Sequence, residues 1–519
     1  MGTNYEKGMY KQLQEVISGF EKLTVEVERI KTSHKWEMAA LKETHRQERE
    51  AHRQEIAELK AAHQEEITRL ETRIVTLEAE NALLKARMNK DSGNSSKPPS
   101  SRGYKNLSNS REKTGRRPGG QPGHKGYAPK LCETPDEVIK LNEGECSCGG
   151  AVEYPNGSER RQHIELEIHA HVKEYQSGEG ACSSCGKRFP KQFPEELPGI
   201  INIGETAKAV IALLMNEGAV SVNRTQRILS EVTEGRLELC EATLVEYQRE
   251  LSEKLEGEVE TIRQDLALSE VLHKDESGAR INGSVHWLHV VSTSRATYYE
   301  IHPKRGSEAD NAMGILPAFT GTLVHDHLKS LYDFPCTHAE CNAHVLRYLK
   351  GVCENDKEFE PFAEALGKLL KEMNDRRKVL IEGKESAFPA SDMEGYHQRY
   401  DEILTEWNAL TREKETRRRE KKQSGKYKSE AEPLGKRLLE YKEQHLLFLK
   451  DYRVPFDNNQ AERDIRPAKT KLKVSGGFRS QSGARAYARI RSFISTLRKR
   501  QCNIFQGLRS VFAGISVLA

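Results

Sequence analysis

Three acidic residues, Asp275, Asp326 and Glu462, stand where the sequence could build a site for metal-assisted chemistry. Asp275 lies in the segment VLHKDESG, Asp326 ends the short apolar run GTLVHD, and Glu462 follows the polar helix start NNQAER. Carboxylate oxygens are the ligands that hard cations such as Mg²⁺ prefer. Two such ions can stabilise both the attacking and the leaving oxygen of a phosphoryl displacement. The three acids are therefore a candidate site for two Mg²⁺ ions, with Mn²⁺ as an alternative.

The elements around these acids are predicted to run strand-strand-strand-helix-strand-helix. Asn282-Gly283 is typical of a two-residue hairpin turn, and β-branched and aromatic residues flank it on both sides. This is the order of the ribonuclease H-like fold, in which the first and fourth strands are neighbours. Asp275 and Asp326 would then converge, with Glu462 supplied by a later helix. We predict such an α/β catalytic domain over residues 269–352 and 453–519, interrupted by a charged helical insertion over residues 353–452. The insertion could contact DNA, space two active sites or simply be solvated.

Basic residues are concentrated directly after Glu462. Residues 463–500 carry twelve lysines and arginines against one acid, Asp464. Such a face is typical of phosphate binding, since cations on a DNA backbone release condensed counterions. The candidate DNA contacts here are Arg463, Arg466, Lys471, Lys473 and Arg479. The glycines of SGGFRSQSGARA could let backbone N–H groups approach phosphate.

The N-terminal part of the chain divides into a predicted helix and a predicted arm. Residues 5–90 lack proline, and their apolar residues recur alternately three and four apart, which is the pattern of a coiled coil. Self-association into a homodimer or higher oligomer is the interpretation favoured over a solvated single helix. Residues 91–130 are rich in Gly, Pro, Ser and basic residues, so they form a linker. As a cationic arm it would bind DNA through residues such as Arg116, Arg117 and Lys125; the alternative is a plain tether.

Two cysteine pairs predict a small zinc-binding domain over residues 131–195. Cys182 and Cys185 form a CxxC knuckle followed by glycine, whereas Cys146 and Cys148 form a shorter CxC knuckle. Four thiolates satisfy tetrahedral Zn²⁺, and so small a module needs a metal to fold. The short spacing leaves Cys132 or His163 open as a substitute ligand, and four unliganded thiols are the alternative. Alternating apolar residues at Ile164, Leu166 and Ile168 predict a strand between the knuckles.

Residues 200–268 are predicted to be helical. Helices over residues 222–232 and 242–255, separated by a turn with Gly235, suggest a helix-turn-helix, although a plain helical bundle fits equally well. A local cluster in HAECNAH, formed by His338, Cys341 and His344, has a spacing that allows a metal site. A packed helix start with the cysteine inward is the preferred interpretation.

Composition excludes some classes of protein. Charged residues make up 31% of the 519 and hydrophobic residues 36%, so much of the chain must be solvated helix or linker. The sequence has neither the apolar run of a membrane span nor a signal-peptide core near its start. We therefore expect no membrane partner and a location in a bacterial-type cytoplasm, associated with the nucleoid.

Seven segments together resemble transposases of the insertion sequence 66 family over nearly the full length of the chain. The segments are NSSKPPSS, GGQPGHKG, the paired cysteine knuckles, KDESG, LVHD, CNAH and NNQAERDIRP. The resemblance implies a multidomain α+β protein with a leucine-zipper-like region, a zinc-binding domain and a DDE catalytic domain. It assigns the acids to Asp275, Asp326 and Glu462, and it implies accessory proteins from the same element. The CxC knuckle and the extended coiled coil depart from the family pattern.

The resulting hypothesis is a transposase that binds terminal repeats and joins cleaved ends to target DNA. Two alternatives remain open: a DNA-binding regulator without catalysis, and a different ribonuclease H-like DNA nuclease.

Overall fold

The computed structural model describes residues 3–90, 94, 131–139, 141, 147–148, 159–385, 387–420 and 429–518. Two compact units make up the chain: Met1–Asn89 with Glu415–Lys428, and Lys90–Lys414 with Ser429–Ala519. Among the described residues, no helix is long and apolar enough to cross a membrane.

A single long helix, α1 (Thr3–Asn89), forms most of the first unit. It is continuous because the segment lacks proline and its two glycines, Gly8 and Gly19, lie near its start. The apolar seam residues, among them Phe20, Leu70 and Leu77, are exposed along the helix. The helix predicted over residues 5–90 is therefore present, and its apolar seam faces solvent.

A small hairpin surrounds the second cysteine knuckle. Strands β1 (Gly180–Ala181) and β2 (Arg188–Phe189) pair antiparallel. The strand predicted around Ile164–Ile168 is wrong, because residues 159–179 contain no strand and Ile164 and Leu166 are exposed. Alternation alone does not make a strand where no partner strand satisfies the backbone groups.

Four helices lie between β2 and the central sheet: α2 (Glu205–Ala212), α3 (Val222–Val232), α4 (Glu241–Lys254) and α5 (Glu256–Ala267). A π-helical turn, Leu213–Glu217, extends α2. Buried Ile211, Met215, Leu229 and Leu244 form a small core among α2, α3 and α4. The helical region expected at residues 200–268 thus has a core of its own.

The central sheet has five strands: β3 (Val271–Ile281), β4 (Ser284–Ser292), β5 (Thr297–His302), β6 (Thr322–His325) and β7 (Thr337–Glu340). Their order across the sheet is β5-β4-β3-β6-β7. The β3–β4 and β4–β5 pairs are antiparallel, whereas β6 runs parallel to both β3 and β7. The hairpin predicted at Asn282-Gly283 is confirmed, since Ile281 pairs with Ser284 and both turn residues have positive φ.

Helices connect and cover this sheet. α6 (Ser307–Met313) lies between β5 and β6, and α7 (Asn342–Asn355) follows β7. Near the end of the chain come α12 (Asn459–Ser475), α13 (Gln481–Lys499) and α14 (Ile504–Phe512). Ala461, Ile465 and Ala468 of α12 are buried in one apolar cluster with Ala279 of β3 and Val290 of β4. α12 therefore packs on the face of β3 that Ala279 occupies.

The charged segment between α7 and α12 is a packed helical insertion. It comprises α8 (Glu360–Glu382), α9 (Ala390–Glu420), α10 (Ala431–Glu440) and α11 (Lys442–Lys450). Buried Phe359, Trp407 and Leu438 belong to an apolar cluster that also includes Val324 of β6. Trp407 donates from Nε1 to the Ala431 carbonyl at 3.0 Å. The core of the insertion is thus continuous with the apolar residues of β6 and β7.

Candidate active site

Asp275 and Asp326 are brought together by the parallel pairing of β3 and β6. The register matches Val271 with Thr322 and His273 with Val324. Continued to the ends of these pairings, the same register sets Asp275 beside Asp326, the residue directly after β6. Side chains alternate along a strand, so Asp275 shares the α12-facing side of β3 with Ala279.

Both carboxyl groups have a raised proton affinity. Burial raises the pKa of Asp275 to about 7, and the negative charges of Asp326 and Glu276 raise it further. Burial also raises the pKa of Asp326 to about 6, with repulsion from Glu276. Lys469 on α12 is close enough to Asp275 to act in the opposite direction. Two adjacent half-buried carboxylates with too little positive charge around them favour binding of a cation.

Glu462 lies in the first turn of α12, but its carboxylate is turned toward α7. Arg347 Nη2 donates to Glu462 Oε1 at 3.2 Å, and His344 Nε2 lies 3.9 Å from the same oxygen. The described residues hold no group of three or more His, Cys, Asp or Glu side chains placed to bind one metal ion. The structure therefore sets the two aspartates on neighbouring strands and leaves Glu462 in an ion pair with Arg347.

Asn458 is a site residue that the sequence reasoning missed. It is buried before the first turn of α12 and donates from Nδ2 to the Lys274 carbonyl at 2.7 Å. Its Oδ1 accepts a hydrogen bond from His273 Nδ1 at 2.9 Å, and its backbone N–H donates to Cys341 Sγ at 3.1 Å. These bonds fix the start of the Glu462 helix to β3 beside Asp275. The sequence signal that could have pointed to Asn458 was its position as the first residue of the NNQAER motif.

The residues on either side of Asp326 are held by β7. His325 is buried, and its Nδ1 accepts a hydrogen bond from the His327 backbone N–H at 3.2 Å. His327 has φ of 70°, a conformation that costs energy for a residue with a side chain. Its Nδ1 bonds to the carboxylate of Glu340, which also accepts from the Tyr332 hydroxyl. Glu340, buried at the end of β7, thus anchors the turn that carries Asp326.

On the side of β3 that faces away from α12, the buried Lys274 lies among acidic side chains. Lys274 donates to His289 Nδ1 at 2.9 Å and lies 3.2 Å from Asp310 Oδ1. Burial raises the pKa of Asp310, while Lys274 lowers it. Arg305 donates from Nε to Glu276 Oε1 at 2.9 Å. Lys274 and Arg305 thus offset the charges of Asp310 and Glu276. Asp275 and Asp326 lie on the α12-facing side of the sheet, apart from these pairs.

The alternative metal cluster in HAECNAH does not form among these described residues. His338 Nδ1 lies 3.3 Å from His325 Nε2, Cys341 accepts from Asn458, and His344 lies near Glu462. The three side chains therefore serve three different contacts. The preferred interpretation, a packed helix start with Cys341 buried, agrees with this arrangement.

Comparison with known protein families identifies the chain. The family model described as "Transposase IS66 family" matches residues 201–486, more than half of the chain. The chain belongs to the IS66 transposase family. The match takes in the sheet, both aspartates and Glu462, and it confirms the resemblance inferred from the motifs. A second model, for a family of unknown function (DUF6444), matches residues 39–130. No curated protein matches the chain.

The basic segment of this IS66-family chain is solvent-facing only in part, because Arg491 of α13 is buried and Lys499 is paired with Asp464. Arg463, Arg466, Lys473 and Arg479 are exposed, whereas Lys471 is half-buried and points to the Met215 carbonyl at 3.5 Å. Two glycines of this segment, Gly476 and Gly477, are required by the backbone. Gly476 ends α12 with φ of 71°, and a Cβ on Gly477 would lie 2.8 Å from the Arg280 carbonyl oxygen. Gly477 therefore permits the close approach by which Phe478 donates to Arg280.

Of the two cysteine knuckles in the IS66-family chain, the described residues show the geometry of the second one, Cys182–Cys185. Gly186, with φ of 73°, donates to the Cys182 carbonyl at 2.9 Å. Hydrogen bonds from the backbone at Cys185 and Ser184 lower the pKa of Cys182, as suits a metal-binding thiolate. Cys185 and Cys148 are exposed. Cys132 donates to the Thr134 carbonyl and His163 lies beside Glu165, so neither is placed with the knuckle by these contacts.

Some predicted residues lie outside the part of the chain that the structure describes. These are Cys146 of the first knuckle and Arg116, Arg117 and Lys125 of the basic arm.

Proposed function

We propose that the chain is a DDE transposase that binds the terminal repeats of a mobile DNA element and catalyses metal-dependent cleavage and strand transfer. Asp275, Asp326 and Glu462 are its catalytic and metal-binding acids in this proposal. The observation that carries it is the pairing of β3 with β6, which sets two half-buried carboxylates side by side. IS66 family membership supports the same reaction class.

The sheet supports a ribonuclease H-like catalytic domain. Three antiparallel strands, β5-β4-β3, continue into the parallel strands β6 and β7, and α12 packs on the face that bears Asp275. In this arrangement an acid from the first strand, an acid after the fourth and an acid from a late helix share one side of the sheet. In this proposal Glu462, which is paired with Arg347 in the structure, exchanges that partner for the metal.

The donor set fits divalent cations with oxygen preference, namely two Mg²⁺ ions or Mn²⁺ in their place. Bound there, such ions would activate a water or a DNA 3′-hydroxyl and stabilise the leaving oxygen. The chain itself holds the carboxylates in place through Asn458 and Glu340. Lys469, which lowers the pKa of Asp275, would bind a phosphate oxygen of the DNA strand. Arg463, Arg466, Lys473 and Arg479 extend this cationic surface along the strand.

Zinc binding at the cysteine knuckles belongs to the same proposal. Cys182 and Cys185 on their hairpin would supply two thiolates, and Cys146 with Cys148 the other two. Self-association through α1 and accessory proteins of the same element would complete the machinery around two DNA ends. The basic arm at residues 91–130 would add backbone contacts to DNA.

The experiment uses the purified full-length chain, Mg²⁺ and labelled duplexes from the ends of the encoding element. We expect cleaved 3′ ends and strand-transfer products with the wild type. The variants Asp275→Asn, Asp326→Asn and Glu462→Gln should each lower the rate by at least about a thousandfold, as loss of a principal catalytic group does. Asp333→Asn, an exposed acid of the same domain, is the matched control and should leave the rate unchanged.

The same assay separates the alternatives. Tight DNA binding without cleavage under either Mg²⁺ or Mn²⁺ would indicate a regulator and would refute the catalytic proposal. Cleavage of branched DNA without joining would indicate a ribonuclease H-like nuclease of another kind.

A further inference from the structure

The four-residue turn between α2 and α3 has the length and the glycine of a helix-turn-helix. Residues 218–221 join the π-helical end of α2 to α3. A Cβ on Gly218 would lie 2.8 Å from the Leu214 carbonyl oxygen, so a side chain here would displace the end of the first helix. Ala219 adopts φ of 52°, and Ser221 caps α3 by accepting from the Arg224 backbone N–H. A short turn containing glycine between two packed helices is the hallmark of this motif.

Packing fixes which face of α3 is free. Thr225 and Leu229 are buried, and Leu229 belongs to the small core with Ile211 and Met215 of the first helix. The opposite face exposes Asn223, Arg224 and Arg227 in its first two turns, and Asn223 Nδ2 donates to Glu241 Oε1 of α4 at 3.1 Å. The N-terminal half of the second helix is the part that contacts base edges in helix-turn-helix proteins.

The charge of this face suits DNA. Neither Arg224 nor Arg227 has an acidic ion-pair partner among the residues that the structure describes. Arg249 on α4, by contrast, is held by Glu246 and by Glu253. The exposed surface of α4 carries Glu241 as well, so it is acidic overall. The sequence suggested α3–α4 as the helix-turn-helix. The second helix of that pair, α4, is acidic, which disfavours binding to DNA.

The first helix of the pair is tied to the catalytic domain. Buried Arg491 of α13 donates to Glu217 Oε2 at 2.8 Å, and Arg498 pairs with the same carboxylate. Lys471 of α12 points to the Met215 carbonyl. DNA bound on α3 would thus be held by a rigid connection to the helix that carries Glu462.

We infer that residues 205–232 form a helix-turn-helix whose second helix, α3, enters the major groove of duplex DNA and reads bases with Arg224 and Arg227. The inference rests on the proposed function only for the identity of the duplex, the ends of the encoding element. Arginine suits this role because its guanidinium can bond to two acceptors of guanine at once.

The test is binding of the full-length chain to fluorescent duplexes by anisotropy, without divalent metal so that no cleavage occurs. The probes are a duplex from the element ends and a shuffled duplex of equal length and composition. We expect Arg224→Ala with Arg227→Ala to weaken binding to the end duplex by about tenfold or more, with a much smaller effect on the shuffled duplex. Arg249→Ala is the matched control on α4 and should bind as the wild type does.

Three results would overturn the inference: unchanged binding by the double variant, equal loss on both duplexes, or loss with Arg249→Ala instead. The thermal midpoint of the double variant should equal that of the wild type, because both side chains are exposed. Arginine-dependent discrimination in a chain that never cleaves DNA would refute the catalytic proposal alone. Cleavage without that discrimination would refute this inference alone.

Discussion

At the residue scale, the charges of Asp275 and Asp326 work against folding. The pKa of Asp275 is raised to about 7 from an ordinary value of 3.8, first by burial and then by Asp326. The folded chain therefore binds this proton more tightly than the unfolded chain does. Its charge costs stability above the unfolded pKa, and the cost is largest above pH 7. A site built in this way stores repulsion that a bound cation can relieve.

Replacing either carboxylate should consequently stabilise the metal-free chain. We expect Asp275→Asn to raise the free energy of unfolding by about 2 kcal/mol near pH 8, with the gain shrinking as the pH falls toward 4. Denaturant melts in EDTA across this range measure it. In the wild type, added Mg²⁺ or Mn²⁺ should raise the thermal midpoint, and Asp275→Asn should lose that increment.

Asp333→Asn is the control for both measurements, since this exposed acid should change neither the melt nor the response to metal. Destabilisation by Asp275→Asn near pH 8 without metal would contradict the argument, because it would mean that the carboxylate is already compensated.

At the element scale, α12 depends on one buried amide for its position. Asn458 makes two side-chain hydrogen bonds to β3, at the Lys274 carbonyl and at His273. Asn458→Ala would leave these groups unpaired in the interior, so we expect a loss of about 2–4 kcal/mol of stability. Denaturant unfolding measures the loss, and Asn459→Ala, the adjacent half-buried residue, is the matched control. If the two variants unfold alike, Asn458 does not fix the helix.

Local signals account for what the sequence predicted at this scale. The hairpin at Asn282-Gly283 and the apolar strand before Asp326 carry their own turn and strand residues, so they were visible without the fold. β7 has the sequence THAE, which lacks strand character, and it forms because β6 offers a parallel partner. Ile164–Ile168 shows the reverse case, with the pattern of a strand and no partner.

Site geometry was predictable only in part for the same reason. Strand order indicated that Asp275 and Asp326 would be neighbours. The turning of Glu462 toward Arg347 depends on a residue more than a hundred positions away, and no local pattern encodes it. Likewise, the core of the insertion around Trp407 is hidden in a sequence dominated by charged residues.

At the scale of the whole molecule, buried neutral histidines make the fold sensitive to acid. Burial lowers the pKa of His325 to about 3 and that of His445 to about 4, and His289 and His344 are also lowered. The unfolded chain then binds more protons than the folded chain below about pH 6.5, so stability falls as the pH drops from there. The raised pKa values of Asp275 and Asp326 oppose this fall in part.

His445→Leu isolates one contribution to this acid sensitivity. His445 is fully buried near Glu340 and Arg437, and its two ring nitrogens make no hydrogen bond within the described part of the chain. We expect the variant to lose stability less steeply between about pH 6.5 and 4, by up to about 1.4 kcal/mol for each pH unit. Thermal midpoints across this range measure the slope. His286→Leu, at a histidine that is only half-buried, is the control, and parallel slopes for wild type and His445→Leu would contradict the assignment.

The exposed seam of α1 leads to a prediction about assembly. Leu70, Ile74, Leu77 and Leu84 recur at coiled-coil spacing and are all exposed along the helix. An isolated amphipathic helix of this length gains most of its stability by burying such a seam against another helix. We therefore expect the full-length chain to sediment as a dimer or higher oligomer.

Leu77→Glu should shift it toward monomer because it buries a charge in the seam, whereas Thr76→Glu, one residue off the seam, should leave the sedimentation unchanged. A wild-type chain that stays monomeric at micromolar concentration would remove α1 as the assembly element, while assembly that persists in Leu77→Glu would move the contact to another part of the chain.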